Sequence, residues 1–380
     1  MNHTTSLENP GAAQHPMAQV EGLAESTALL LPRKRHPYYI VAPTYVRTSA
    51  GIRVLHLLCN ALNRLGENAY LVIHPYMGDP HKGVHPYLDT PLLDAQRMLQ
   101  HHEDGLCPIT IYPETVRGNP FEAPLVVRYL LNFPGLLGGD EHYPADEVMW
   151  AYSEAIAQGV DRHCEVLFFP VSDPEQFTPF PAQARKGSCF YGAKYQAVHG
   201  GRLFEVTRDS VEITRDLPDS PTPAQIADLF RRSEVFYCYE NSALAIEALL
   251  CECPVVFLPN PYLERMIGFG ELGTDGIAWG TDSDQLDKAR ATVRQARRNY
   301  LRLYDVLEQR LHALIAQTQE LAATRSYARL MRIESIQEPG MAARLASNWE
   351  VLRHAARDQG VPRTMLRVLS YVRRKGLRLK

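Results

Sequence analysis

Residues Glu234–Pro261 read EVFYCYENSALAIEALLCECPVVFLPNP. This run decides the fold class because its period changes twice. Val235–Tyr239 is β-branched and aromatic and predicts a strand. Ser242 follows an acidic turn, where a helix N-cap belongs. Ala243–Cys251 is rich in Ala and Leu and predicts a helix; Pro254 stops it, and Val255–Leu258 is a short buried strand. A strand–turn–helix–strand unit implies a parallel sheet.

Glu240 stands at the mouth of this unit and Glu247 follows seven residues later, a spacing that puts both carboxylates on one helix face. Acids at the carboxyl end of a parallel strand lie where open α/β sheets bind ligands. Carboxylates accept hydrogen bonds from ribose and sugar hydroxyls, and a helix N-terminus favours phosphate. The same residues also fit a plain reading, in which Glu240 caps the helix and Glu247 is a solvated helix residue.

The segment resembles the donor-site element of retaining GT-B glycosyltransferases near the family 4 group. Glu247-Ala-Leu-Leu-Cys-Glu-Cys-Pro-Val-Val matches the second half of that element. In that group seven residues separate two acids; here six separate Glu240 from Glu247, and Tyr239 stands where the first acid would fall. The resemblance implies that Glu247 holds the donor ribose and that Glu240, with Asn241 and Ser242, meets the sugar. It also implies a nucleotide-sugar donor as substrate, no cofactor, and a diphosphate held by protein cations and helix dipoles with no metal.

Composition sets the bounds. The 380 residues allow more than one domain of ordinary size, and 45% hydrophobic with 22% charged residues is a globular balance. A net charge of −3 gives no argument for nucleic acid as a partner. The cysteines are odd in number, seven, which argues against a closed disulfide framework; Cys251 and Cys253 have no second pair to complete a metal site and read as packed thiols. Leu29-Leu30-Leu31 is too short for a signal core, and no run approaches a membrane span, so a cytoplasmic protein is expected.

In chain order, residues 1–36 read as a disordered extension. Tyr38–Thr44 predicts the first strand, and Ile52, Leu55, Leu58, Leu62 and Leu65 a helix ended by Gly66. Asn68–His74 is the next strand, completing an opening βαβ unit. The loop before the helix, Thr48–Gly51, presents backbone N–H groups suited to a diphosphate or sugar, or is an ordinary strand–helix turn. The stretch also resembles N-terminal segments of polysaccharide glycosyltransferases, which implies that Gly51 faces the interdomain cleft. His56, inside the helix, reads as structural.

Further on, a helix is expected at Leu92–Glu103 and strands at Pro108–Pro113, Leu125–Leu131, Val148–Ser153 and Val166–Pro170. Asn132–His142 is a glycine-rich loop at a strand's carboxyl end, and its His142 is a candidate to polarise the acceptor or bond the donor sugar, or a surface histidine of a mobile loop. The prolines of residues 170–181 mark the linker. Ser188–Lys194 then predicts a strand ending in Gly-Ala-Lys, which puts the Lys194 cation at the strand's carboxyl end, as a phosphate ligand that helps a diphosphate leave or as an exposed loop lysine. Strands are expected at Leu203–Thr207 and Val211–Thr214 and a helix at Pro223–Arg232.

Leu286, Val293, Tyr300, Leu307, Leu314 and Leu321 recur every seven residues on a long helix from near Asp284. Arg310 and Gln317 break the second row that a coiled coil needs, so packing along the body is favoured over a homodimer. The final segment, 363–380, carries Arg363, Arg367, Arg373, Arg374, Lys375, Arg378 and Lys380 and no acid. Such a tail suits peripheral contact with an anionic membrane, at about 1 kcal/mol per basic residue, and equally suits solvent or an RNA contact.

The expected architecture is therefore α/β and GT-B: two Rossmann-like doubly wound domains facing a cleft, with a long C-terminal helix and a basic tail. The boundaries are 1–36 extension, 37–175 acceptor-side domain, 186–283 nucleotide-sugar domain, 284–338 long helix and 339–380 helical basic tail. The implied activity is metal-independent hexosyl or deoxyhexosyl transfer from a nucleotide sugar to a glycan or lipid-linked glycan, with retention, in surface polysaccharide or lipopolysaccharide biosynthesis at the inner face of the cytoplasmic membrane. The alternatives are a nucleotide-sugar epimerase on the same fold and a non-catalytic sugar-nucleotide or glycan-binding protein.

Overall fold

The computed structural model describes residues 35–75, 83–180, 184–215, 217 and 219–333. The 1–34 part of the extension and the basic tail lie outside the described residues. His36 already belongs to the body: its backbone N–H donates to Gln319 Oε1 at 3.1 Å, and its ring accepts from Cys107 N at 2.9 Å.

The first sheet is six-stranded and parallel: β1 Tyr38–Ala42, β2 Ala69–Ile73, β3 Ile109–Pro113, β4 Leu125–Leu130, β5 Val148–Ala151 and β6 Glu165–Val166. Its order is β2-β1-β3-β4-β5-β6. The strands β1 to β4 are buried throughout, as strands covered on both faces must be, which explains their continuous apolar runs. Helix α1, Ala50–Arg64, buries Val54, Leu55, Leu58 and Leu62 on this sheet. Helix α2, Ala95–Glu103, starts later than its apolar pattern implies because Asp94 accepts from Arg97 N and fixes the N-terminus. A short helix, α3, covers Glu154–Ala157.

The second sheet is five-stranded and parallel: β7 Ser188–Tyr191, β8 Val211–Glu212, β9 Val235–Cys238, β10 Val255–Phe257 and β11 Ile277–Trp279. Its order is β11-β10-β9-β7-β8. Helices α4 Ala193–Ala197, α5 Pro223–Arg232, α6 Ala243–Leu250 and α7 Phe269–Leu272 connect these strands. The expected strand at Leu203–Thr207 is instead a loop and a 3₁₀ turn at Glu205–Thr207. Thr207 there bonds its own chain at Phe204 O and the Tyr239 hydroxyl, so this segment seals the sheet rather than joining it.

Each sheet reverses its winding once, between β1 and β3 and between β7 and β9. Doubly wound sheets bind ligands at the carboxyl ends of the strands flanking that reversal. Helix α8, Ser283–Ala323, spans both cores. Val293, Ala296, Tyr300 and Leu303 pack in the second core, while Leu311, Leu314, Ile315 and Ala322 pack in the first. The seven-residue stripe is therefore consumed within the chain. Tyr300 pins the connection between the sheets, its hydroxyl accepting from Ser172 N at 2.8 Å and donating to Ser172 O at 2.7 Å. All seven cysteines are free thiols, and burial pushes Cys251 up to about 12. Among the described residues no helix is long and apolar enough to cross a membrane.

Candidate functional site

A cavity of about 540 Å³ is lined from both sheets. From the first come the loop after β1 with Thr48–Gly51, Glu114 after β3, and Asn132 and Leu137 after β4; from the second come Lys194, Arg215, Glu240–Ser242 and Met266–Gly268. Of the residues singled out in the sequence, Gly51, Lys194, Glu240, Asn241 and Ser242 line it together. His142 and Glu247 do not.

Tyr239 explains the shortened acid spacing. It is fully buried, its hydroxyl accepts from Phe204 N at 2.7 Å, and its ring stacks on Tyr195 at 5.0 Å between centroids. The side chain at this position belongs to the core, and Glu240 is the acid presented to the cavity. Glu240 does not cap its own helix: its Oε2 accepts from Lys194 N at 2.7 Å and Tyr195 N at 3.0 Å, closing the first turn of α4. Burial raises its pKa, while these N–H groups and the Lys194 cation pull it down. Ser242 does cap α6, accepting from Leu244 N at 3.3 Å.

Asn241 is already committed to its own chain. It donates to Arg265 O at 3.0 Å and accepts from Ile267 N at 2.9 Å, so it holds the 265–268 wall of the cavity in place. Gly51 sits within the first turn of α1, and a Cβ there would meet Leu131 at 3.5 Å, an ordinary contact. His142 is exposed. Its loop turns back on the first sheet because Asp140 accepts from Gly118 N at 2.6 Å and the Tyr143 ring lies 5.1 Å from the Arg128 guanidinium. His56 is buried against Pro43 O at 2.9 Å, and burial lowers its pKa.

Glu247 is not a solvated helix residue. Every residue of α6 is buried, and the Glu247 carboxylate lies 3.6 Å from Arg53 Nη2 and 3.8 Å from Arg215 Nη2. Arg53 comes from α1 and also donates to Val171 O at 3.2 Å; Arg215 donates to Thr48 O at 3.2 Å. Two buried cations thus face one acid, and Arg215 Nε is buried without a hydrogen-bond partner among the described residues. A further anion would complete this balance.

Sequence reasoning missed Arg53, Arg215 and Glu114. Arg53 resembles any cation on an amphipathic helix, and Arg215 follows a strand of only two residues in a polar stretch. Glu114 is 3% exposed, and its Oε2 accepts from Leu131 N at 2.9 Å. Burial pushes this carboxyl up to about 7, opposed by the Leu131 N–H and by Arg128. Its position directly after a strand at the winding reversal was the available signal.

No family profile matches this chain, and no curated protein matches it. Solved structures do. A glycosyltransferase from Rickettsia africae is 10% identical with a TM-score of 0.45, the match covering 77% of this chain and 100% of that one. The glycosyltransferase SnogD from Streptomyces nogalater is 13% identical at a TM-score of 0.39, over 74% of this chain and 100% of that one. The spinosyn rhamnosyltransferase SpnG, solved with thymidine diphosphate, is 14% identical at 0.34, over 72% and 96%. Likeness at these scores carries no functional argument, and the reading of the site rests on its own residues.

Proposed function

We propose that this protein is a glycosyltransferase that binds a nucleotide sugar on its second sheet and an acceptor against its first. The carrying observation is the cation pair on the cavity wall: Lys194 at the start of α4 and Arg215 after β8, the latter with a buried, unsatisfied Nε. A diphosphate between them would supply that missing acceptor and balance the surplus charge beside Glu247. The leaving diphosphate is then stabilised by protein cations and by the α6 N-terminus rather than by a metal. Glu240 and the Ser242 turn meet the sugar, and Glu247 reaches the ribose by exchanging its contact with Arg53.

The acceptor is a glycan or lipid-linked glycan in this reading. Val46 and Leu137 are exposed apolar residues on the first-sheet side of the cavity and suit a ligand with an apolar portion. The test is thermal stabilisation by a panel of nucleoside diphosphates and their sugars. Binding to the folded state stabilises it by RT ln(1 + L/Kd) at free ligand concentration L, so a donor with a millimolar Kd registers once its concentration exceeds that value several-fold. A shift that depends on the diphosphate and is lost in Lys194→Ala supports the site. No shift with any nucleotide, in protein shown to be folded, rejects it.

A further inference from the structure

One buried acid on the cavity wall has no part in donor binding. Glu114 follows β3 on the first sheet and lines the cavity together with the cations of the second. Its carboxyl is held by a hydrogen bond, and its backbone by the loop around it. Leu131 N, just past β4, donates to Oε2. The loop that follows Glu114 is anchored by Arg128, which donates to Val116 O at 2.6 Å and Gly118 O at 2.8 Å. Gly139 lies against its backbone so closely that a Cβ there would fall 1.8 Å from Glu114 O.

Its charged and titratable neighbours are Arg128 on β4 and Tyr143 after the glycine-rich loop, and Tyr143 in turn faces Asp140 and Glu147. Arg128 is neutralised by Glu147, with Nε–Oε2 and Nη2–Oε1 both 2.9 Å. Asp140 is bonded to Gly118 N. Glu114 is therefore a positioned carboxyl, poorly solvated and without an ion pair of its own among the described residues, on the first-sheet side of the cavity.

We propose that Glu114 is the general base of the transfer, taking the proton of the acceptor hydroxyl as that oxygen attacks the anomeric carbon. This rests on the reading of the second sheet as the donor site. The O–H bond of the acceptor breaks and its proton passes to the Glu114 carboxylate. The acceptor oxygen bonds to the anomeric carbon, and the carbon–oxygen bond to phosphate breaks with its electron pair on the diphosphate, beside Lys194 and Arg215. Attack comes from the side opposite the departing diphosphate, so the configuration inverts, where the sequence resemblance implies retention. A base buried until it titrates near neutrality is matched to this step.

The experiment uses the full chain, the nucleotide sugar that gives the largest thermal shift, and water and octyl glucoside as acceptors. Release of nucleoside diphosphate is followed from pH 5 to 9, and the configuration of the product is read by NMR. Wild type is expected to gain activity with rising pH through about 7 and to invert. Glu114→Gln, which preserves an acceptor for Leu131 N, should melt as a folded protein and bind the donor with unchanged KM. Its kcat should fall about 100- to 10,000-fold and lose the acidic limb of the profile. Glu114→Asp should recover part of the rate.

Donor binding with full activity in Glu114→Gln, retention of configuration, or no turnover of a bound donor with either acceptor overturns the assignment. Absence of any nucleotide binding instead overturns the donor-site reading on which it stands.

Discussion

Arg53 on the first helix places Nη2 3.6 Å from Oε1 of Glu247, which lies on the helix after β9, so a cation from one half of the body closes on an acid of the other. Arg215 approaches the second carboxylate oxygen at 3.8 Å. All three side chains are close to fully buried. Glu247→Ala therefore leaves two buried guanidiniums facing each other, at a cost of about 3–5 kcal/mol. Urea unfolding should show this loss, and Arg53→Met, which leaves Arg215 and Glu247 paired, should lose less. Equal stability of Glu247→Ala and wild type would mean that the acid does not balance these cations.

Lys194 should act on the diphosphate alone, whereas Arg215 also pairs with Glu247. Charge-assisted hydrogen bonds contribute about 1.5–3 kcal/mol each, so Arg215→Ala is expected to weaken nucleoside diphosphate binding about 10- to 100-fold. Calorimetry against the diphosphate and the parent nucleoside separates the two cations: Lys194→Ala should leave nucleoside affinity unchanged, and Arg215→Ala should also weaken the nucleoside through Glu247.

Glu114 makes stability depend on pH in a defined direction. Its pKa rises from 4.5 in the unfolded reference to about 7 in the fold, so the native state holds the proton more tightly. The contribution to stability is fully present below 4.5 and is lost as pH climbs through about 7. Glu114→Gln removes this loss. The variant should gain on wild type by up to about 3 kcal/mol between pH 5 and pH 8, measured by urea unfolding at both. A pH-independent difference would show that the carboxyl titrates normally.

Asn241 holds the 265–268 segment by two hydrogen bonds, to Arg265 O and from Ile267 N. Asn241→Ala should accelerate hydrogen exchange in that segment and lower stability by about 1–3 kcal/mol. Exchange confined to other parts of the chain would contradict the assignment of Asn241 as the clamp.

Gly139 has φ +83 and no room for a side chain against Glu114 O. Gly139→Ala should cost more than about 1 kcal/mol and displace Glu114, lowering turnover while sparing donor binding at the cations of the second sheet. A crystal structure of the variant with an unmoved Glu114 would refute the coupling.

Both sheets were legible in the sequence because parallel strands buried on two faces write themselves as continuous apolar runs, as in Tyr38–Ala42 and Ile109–Pro113. The helix after β9 was legible from Ala, Leu and the Ser242 cap. Its acid was less so. The spacing of Glu240 and Glu247 carries no trace of Arg53 or Arg215, which arrive from distant parts of the chain, and solvation could not be told from burial on a helix that is apolar all round. The stretch Leu203–Thr207 misled because Phe204 and Thr207 contact Tyr239 while Leu203 and Val206 stay exposed, so its apolar residues mark no strand. Lys194 and Glu240 were readable from their positions at strand ends, Glu114 stood at such a position and was missed, and Arg53 and Arg215, brought in by long-range ion pairs, left no signal.

The long helix Ser283–Ala323 has one consequence for how the protein comes into being. Leu311, Leu314, Ile315 and Ala322 complete a core whose strands all precede residue 167. During synthesis the first sheet therefore emerges with part of its apolar surface uncovered, and it stays so while the whole second sheet is being made. The half that appears first on the ribosome is the half that finishes last, and nascent chains stopped before Leu311 should be the ones that chaperones hold.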